Sequence, residues 1–385
     1  MAILLTDREK EIFERAKEYA LSYIAPRAAA WEEGGVLPRE AVESVAQNGF
    51  FGIGCPVELG GKGYSVLETA LTYEGLAHGD GGFAFFVQLH NNITYDMAVL
   101  YPEVTEAVKK LIPEMTSGKK LTCYALTEEN AGCDPSMSTA YAELREDGYH
   151  IFGEKTWASN CVDADYYTVI VKNGKDSIKD MLILLVEKGT PGFSVVCNRR
   201  RAGGNVMSCG TIRFDDVVVP KERLMSTNGF KQALIDIDMA RIFVPAIAVG
   251  VAQHALDITV EYLAKRQTFG KPLLKNQALQ FQLAELTAKV ESARWLVYRV
   301  ASLADTGAPI SYYAAMTKLL CPNIALETTQ QCAQMFGAVG FEYNSEISRC
   351  LNMARTMKIM DGSTEVQKIV IGRTLERAAL PRTNR

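Results

Sequence analysis

The sequence predicts an α+β protein in three parts: an N-terminal α-helical domain over 1–118, a middle antiparallel β domain over 119–226 and a C-terminal four-helix bundle over 227–385. Three observations carry that reading. Helical periodicity fills the first part, short β-rich runs begin at Lys119, and long apolar helical segments return from about Asn228. A chain of 385 residues, 48% of them hydrophobic, has enough apolar material for more than one core.

In the first part, Ile12, Ala16, Tyr19, Ala20 and Ile24 recur at three- and four-residue spacing, and Pro26 is expected to end that helix. A Gly-rich turn from Glu58 to Ser65 leads into an apolar helix reaching Ala77. A second apolar stretch, Gly82 to Ala98, follows the break at Gly79, Asp80 and Gly81. The middle part has β-rich runs at 121–127, 139–145, 149–159, 166–172, 181–187 and 210–220, with Asp147-Gly148 and Asn173-Gly174 as hairpin turns. Strands this close, without helices between them, predict an antiparallel barrel or sandwich.

In the last part, Phe230 to Lys265, Gln277 to Asp305 and Ile310 to Phe336 each carry a dense apolar face. Breaks fall at Pro272, at Gly307 to Pro309 and at Gly337 to Gly340, while Pro245 and Pro322 predict kinks or interruptions inside two helices. Helices this long and apolar need partners, so a four-helix bundle with a subunit interface is expected, although some monomeric bundles show the same pattern.

Composition removes several function classes. A net charge of −4 offers no electrostatic footprint for nucleic acid. Nine scattered cysteines without a Cys-x-x-Cys, and histidines only at 78, 90, 150 and 254, signal neither a metal site nor a redox dithiol. Phe243 to Ala252 is about half of what a membrane span requires, and Met1 to Arg8 is too soon charged for a secretory signal. A cytoplasmic protein without a membrane span is expected.

The candidate chemistry centres on Lys358 to Arg373. Thr364 and Gln367 stand in the spacing of a capping box, and Val366, Ile369, Val370 and Leu375 are expected to form a buried stripe behind it. Asp361 then sits just ahead of a helix N-terminus, where the macrodipole favours an ionised carboxylate, a group suited to general-base work. The same Asp-Gly pair also reads as a plain turn.

Asp361 to Gln367 resembles the Glu-Gly-Thr-x-x-(Ile/Val)-Gln signature of the acyl-CoA dehydrogenase family, with Asp in place of the usual Glu. The helical, β, helical order matches that family's architecture over nearly the whole chain. The resemblance implies FAD as cofactor, an acyl-CoA thioester as substrate, electron-transfer flavoprotein as electron acceptor and a homotetramer. It makes Asp361 the base that removes the α-proton.

Tyr124 to Asp134 is similar to the family's flavin loop, which assigns Leu126 and Thr127 to the isoalloxazine ring and puts Cys133 where a pyrophosphate-binding Ser is usual, also near substrate. Trp157 by itself reads as a filler of the β core, while Lys155 to Asn160 resembles the strand that places Trp157 beside the flavin and the Ser159 hydroxyl toward N5. Arg266, Thr268 and Phe269 stand in the Arg-x-x-Phe-Gly motif that reaches the FAD of a neighbouring subunit, with Gln277, Gln334 and Ala338 closing over the adenosine part. Ser363 and Glu365 complete the cofactor set. On the substrate side the resemblance implies His90, Asn91, Asp238, Arg241, Met360 and Gly362, although His90 equally reads as a structural residue and Arg241 as a surface salt bridge. Some branches of the family place their catalytic Glu at the position of Ala240, which cannot serve here.

Asp is one methylene shorter than Glu, which withdraws the carboxylate by roughly 1.5 Å. Bulk at the substrate's α-carbon would compensate, so a branched or alicyclic acyl group such as cyclohexane-1-carboxyl-CoA is the expected substrate. Other outcomes open to the same site are enoyl-CoA reduction, non-redox elimination as a lyase, and a catalytically idle flavoprotein scaffold. Formation of a cyclic diene, which in a related branch uses an Asp on the N-terminal domain, is disfavoured by Asn91 in the corresponding stretch, Gln88 to Asn92.

Overall fold

The computed structural model describes residues 5–101, 103–177 and 180–380. Residues 1–4, half of the stretch weighed above as a secretory signal, lie outside them.

Helix α1 (Asp7–Tyr19) opens on a capping box between Thr6 and Glu9. It does not stop at Pro26. A π-helical turn, Ala20–Ile24, carries the chain into α2 (Ala25–Gly34), where Pro26 occupies the first turn and its missing N–H costs nothing. The chain leaves at Gly35, whose φ of 73° suits a residue without Cβ. After α3 (Arg39–Gln47), helix α4 (Val66–Ala77) starts on a Ser65/Glu68 capping box and is buried almost all round, because α1, α8 and α9 pack against it. Helix α5 (Gly81–Tyr95) is capped by Asp80, whose carboxylate accepts from the N–H groups of Gly82 and Phe83. A second π-helical turn, Asp96–Leu100, extends it, and the short α6 (Glu106–Lys109) and α7 (Ile112–Thr116) close this part.

The middle part is one sheet of β1 (Thr122–Ala125), β2 (Tyr141–Leu144), β3 (Tyr149–Ser159), β4 (Tyr166–Asn173), β5 (Met181–Glu187), β6 (Phe193–Asn198), β7 (Cys209–Val219) and β8 (Leu224–Ser226). The spatial order is β6-β7-β3-β1-β4-β5-β8, with β2 beside β3 and β4. The sheet is mixed rather than purely antiparallel: β1 and β2 pair with β4 in parallel, since the β2–β3 hairpin returns the chain so that β4 enters from the same end as β1. The Asn173-Gly174 pair is not a tight hairpin turn. Asn173 N donates to Asp180 O, closing a longer loop between β4 and β5. Strands β6 and β8 were not expected; β6 alternates exposure residue by residue as an edge strand does, and β8 is three residues long.

Helix α8 (Gly229–Lys265) is followed by the small hairpin of β9 (Gln267–Thr268) and β10 (Lys271–Pro272), then α9 (Gln277–Asp305), α10 (Ser311–Met335), α11 (Glu346–Met357) and α12 (Thr364–Ala379). Pro245 and Pro322 do not interrupt their helices: both side chains are buried in unbroken spans of 37 and 25 residues, where packing outweighs one missing hydrogen bond. One apolar core joins the N- and C-terminal helices, a second lies within the sheet, and a third lies between α5–α7 and strands β4 and β5. The end of α5, the end of β1 and the start of α8 therefore converge. The stripe expected on α12 is not buried in the protomer: Val366 and Val370 are partly covered, Ile369 and Leu375 are exposed, and Gln367 alone is buried.

Candidate active site

Asp361 lies in the loop between α11 and α12 with φ +51°, followed by Gly362 at φ +97°. Asp tolerates the left-handed region better than most residues, whereas a Cβ on Gly362 would lie 2.6 Å from Gln367 Nε2 and 3.1 Å from an Arg241 nitrogen. Position 362 therefore demands glycine. The helix cap is Ser363, whose hydroxyl accepts from Val366 N, and not Thr364. Gln367 closes no capping box; it turns inward and donates to Gly362 O at 2.9 Å.

Two buried cations hold the same loop from below. Lys318 Nζ donates to Met357 O at 2.7 Å and to Gly362 O at 3.2 Å. Arg241 Nε donates to Asp361 O at 3.4 Å, and its Nη1 pairs with Asp238 at 2.8 Å. Arg241 is 5% exposed, which removes the surface salt-bridge reading. The backbone N–H of Asp361 makes no hydrogen bond within the described residues. Burial pushes the Asp361 carboxyl above the usual range, opposed by Lys318 and then Arg241. Desolvation thus outweighs the pull of the helix N-terminus toward the ionised form. Lys318 itself is brought down to about 8 by burial, against the pull of Asp361.

The end of β1 meets this loop. Cys133 is exposed and its Sγ lies 3.7 Å from Ser363 Oγ, joining the turn after β1 to the turn before α12. Leu126 and Thr127 are partly exposed at the strand end. Their backbone is pinned by β3: Thr156 N donates to Thr127 O at 2.8 Å, and the buried Lys155 Nζ donates to Leu126 O at 2.9 Å and to Glu128 Oε1 at 2.8 Å. Glu128 also accepts from Ser138, Thr139 and Ala140. Although burial pushes Glu128 up, Lys155 and the Thr139 donors bring it down to about 2.

Trp157 does not fill the sheet core. It is 53% exposed at φ +55°, with the Arg199 guanidinium 5.2 Å from its ring centroid. A large aromatic held open in the left-handed region offers a flat apolar surface beside the β1 end. Ser159, opposite Tyr124 in the β1–β3 ladder, is partly buried, with Oγ 4.0 Å from Cys209 Sγ.

Met360 is partly buried, packed on the large helical core, and Asp238 is held by Arg241. His90 and Asn91 do not join the site as the resemblance implies. His90 is buried, with Nδ1 3.0 Å from Thr122 Oγ1, Nε2 2.8 Å from Met115 O and its ring edge-on to Phe51. Asn91 is spent on Gly52 N and Phe50 O. Both are internal braces whose polar atoms are satisfied by protein groups.

Arg266, Phe269, Gln277, Gln334, Ala338 and Glu365 are exposed and Thr268 is partly so, with Phe269 fully in solvent at the tip of the β9–β10 hairpin. The protomer alone does not gather them around Asp361. Sequence reasoning missed Lys318 and the Lys155–Glu128 pair. For Lys318 a signal existed: it stands four residues after Ala314 and three before Cys321, inside the buried register of α10.

Family models match the chain in three consecutive pieces: acyl-CoA dehydrogenase N-terminal domain over 6–119, middle domain over 123–217 and C-terminal domain over 227–376. The probable acyl-CoA dehydrogenase YngJ of Bacillus subtilis is 33% identical over 378 residues, covering 96% of this chain and 98% of that one. Among solved structures, one described as an electron transferring flavoprotein of Acidaminococcus fermentans, in work on flavin-based electron bifurcation, superposes with TM-score 0.94 at 32% identity, covering 98% of this chain and all of that chain. Butyryl-CoA dehydrogenase from Megasphaera elsdenii superposes with TM-score 0.93 at 31% identity, again over 98% of this chain and 100% of the other.

Proposed function

The chain belongs to the acyl-CoA dehydrogenase family, an FAD-dependent oxidoreductase class, and on that premise we propose that it oxidises a short branched or alicyclic acyl-CoA of the cyclohexane-1-carboxyl-CoA kind with Asp361 as base. The observation that carries the reading is the Asp361 loop itself. Its carboxylate has a free backbone N–H beside it, two cations beneath it, and the β1 turn joined to it through Cys133 and Ser363.

The residues present fit a flavin. Trp157 supplies an open aromatic face, Leu126 and Thr127 an accessible strand end with an apolar and a hydroxyl group, and Ser159 a second hydroxyl on the neighbouring strand. When bound, FAD supplies the acceptor for the hydride that leaves the β-carbon. Asp361 takes the α-proton, and its N–H is available to the thioester oxygen where enolate charge develops. The raised proton affinity of the partly desolvated carboxyl makes it a stronger base than a free aspartate. Lys318 and Arg241 hold the loop through its carbonyl oxygens, so the base is positioned without either cation pairing directly with the carboxylate.

Retraction of the carboxylate by roughly 1.5 Å relative to a glutamate favours a substrate with a bulky α-carbon. A misplacement of about 1 Å can cost on the order of a hundredfold in rate, so the preference is steep. The exposed Arg266–Phe269 hairpin and the apolar residues left open on α12 support a homotetramer in which a neighbouring protomer meets the cofactor. Electron-transfer flavoprotein is the proposed acceptor. No helix among the described residues is long and apolar enough to cross a membrane.

The test is an anaerobic titration of the FAD-loaded protein with straight, branched and alicyclic acyl-CoAs, following loss of oxidised-flavin absorbance. Bleaching is expected with branched or alicyclic thioesters and is expected to disappear in Asp361→Asn. Equal bleaching by straight chains sinks the substrate preference, and no bleaching by any saturated thioester transfers the weight to reductase, lyase or idle scaffold.

A further inference from the structure

Gln367 is the one fully buried side chain of α12, and it leaves the helix to meet the loop that carries Asp361. Its Nε2 donates to Gly362 O at 2.9 Å, a carbonyl that also accepts from Lys318 Nζ at 3.2 Å. A carbonyl oxygen only accepts, so the NH2 of the amide must face it and Oε1 must point away. That oxygen is buried and has no partner among the described residues. Gln367 N donates to Ser363 O at 3.1 Å, which anchors the residue in the first turns of a 16-residue helix.

The same contact makes position 362 the soft joint of the site and then stiffens it. A Cβ there would lie 2.6 Å from Gln367 Nε2, so the amide itself enforces glycine next to the base. Glycine has the widest backbone freedom of any residue. The joint between Asp361 and α12, at φ +97°, is therefore free to turn unless its carbonyl is held. Arg241 Nε reaches Asp361 O at 3.4 Å, and Lys318 divides its ammonium between Met357 O and Gly362 O. The Gln367 amide makes the shortest bond to either the Asp361 or the Gly362 carbonyl.

We propose that Gln367 is a positioning residue for Asp361, locking the Gly362 carbonyl and so fixing where the carboxylate stands. The inference rests on the dehydrogenase reading and adds to it a residue that acts through the base. Lys318 and Arg241 also hold the loop, but each lowers the proton affinity of Asp361 as it does so. Gln367 carries no charge and supplies direction alone. A packing role has the opposite signature in stability. The unpaired Oε1 is unfavourable, because a buried acceptor without a donor loses its hydration for nothing. Methionine, of similar length and without a polar amide, removes that penalty while Lys318 still satisfies Gly362 O. The amide thus favours the site over stability, as groups held for function do.

The experiment compares FAD-loaded wild-type and Gln367→Met protein by thermal denaturation, by calorimetric binding of whichever thioester of the straight, branched and alicyclic panel bleaches the flavin fastest, and by stopped-flow flavin reduction with that thioester deuterated at the α- or the β-carbon. The variant is expected to melt no lower than the wild type and to bind the thioester equally well. It should nevertheless reduce flavin more slowly, by on the order of ten- to a hundredfold. Its α-deuterium isotope effect should grow, because removal of the α-proton becomes the slower part of the reaction, and the acid limb of the rate should stay in place, since no charge is lost. Flavin reduction at wild-type speed overturns the proposal. So does a variant that fails to fold, or a slower rate with a lower melting temperature, weaker binding and an unchanged isotope effect, which marks a packing residue. A wild type that no thioester of the panel bleaches overturns the dehydrogenase reading itself, and this proposal with it.

Discussion

Replacing Lys318 by Met removes a positive charge from beneath the catalytic loop while keeping a side chain of similar length. In the wild type its ammonium donates to Met357 O and Gly362 O at 2.7 and 3.2 Å, the two ends of the turn that presents Asp361. Hydrogen bonds from a charged donor contribute about 1.5–3 kcal/mol each, so losing both costs the loop at most about 3–6 kcal/mol. The electrostatic consequence is more diagnostic. Lys318 is the first of the two cations that hold the Asp361 carboxyl down against the upward push of burial, so its removal raises that carboxyl further. The base acts ionised. Its rate therefore rises with pH through its pKa, and the variant's acid limb moves to higher pH. At a fixed pH below that limb, each pH unit by which it moves leaves about tenfold less ionised base. In the wild type a second inflection is expected near the Lys318 value of about 8, where loss of the ammonium proton weakens its hold on the base; the variant lacks it. Stopped-flow flavin reduction by a saturating thioester, measured across pH, reads both effects. A folded Lys318→Met protein that binds thioester and keeps the wild-type pH profile refutes the coupling and leaves Lys318 a packing residue only.

Two further substitutions test the rest of the site. Asp361→Glu advances the carboxylate by roughly 1.5 Å, and kcat/KM is expected to move toward straight-chain and away from branched thioesters by up to on the order of a hundredfold; an unchanged ratio sinks the retraction argument. Lys155→Met leaves Glu128 buried without its cation, a change that typically costs about 3–5 kcal/mol, and should lower the melting temperature and loosen FAD, as read by fluorescence of released flavin. Because Glu128 is held near 2, below its ordinary 4.5, its contribution to stability is complete above about 4.5 and is lost as pH falls toward 2. Glu128→Gln should flatten that acid limb, and an unaltered acid denaturation curve would show that the pair does not pin the flavin turn.

Much of the molecule was legible in the chain because the signals are local. Strand 149–159 and helix 277–305 have the bounds their patterns predict, and alternation or helical period depends on nothing beyond the segment itself. The Asp361-Gly362 turn was legible for the same reason, since a left-handed pair before a helix restricts residue type at both positions. Pro26 was misread because a proline ends a helix or begins one according to where the previous turn closes, and the intervening π-helical turn leaves no trace in the periodicity.

What the tertiary structure alone decided is which polar side chains face which neighbours. His90 reads in the sequence as either a pocket or a structural residue and Asn91 as a pocket residue, and both turn into the core, where Thr122, Met115, Gly52 and Phe50 use up their polar atoms. Lys318, Asp96 and Asp236 look ordinary in sequence. Lys318 and Asp236 meet their partners across 44 residues from Lys318 to Gly362 and 135 from Tyr101 to Asp236. Helical period says that a face is buried, and it carries no information about the element that buries it. A charged or polar residue on that face becomes a brace or a loop anchor only when the facing segment arrives, because burial removes water and makes the identity of the nearest donor or acceptor decide its energy.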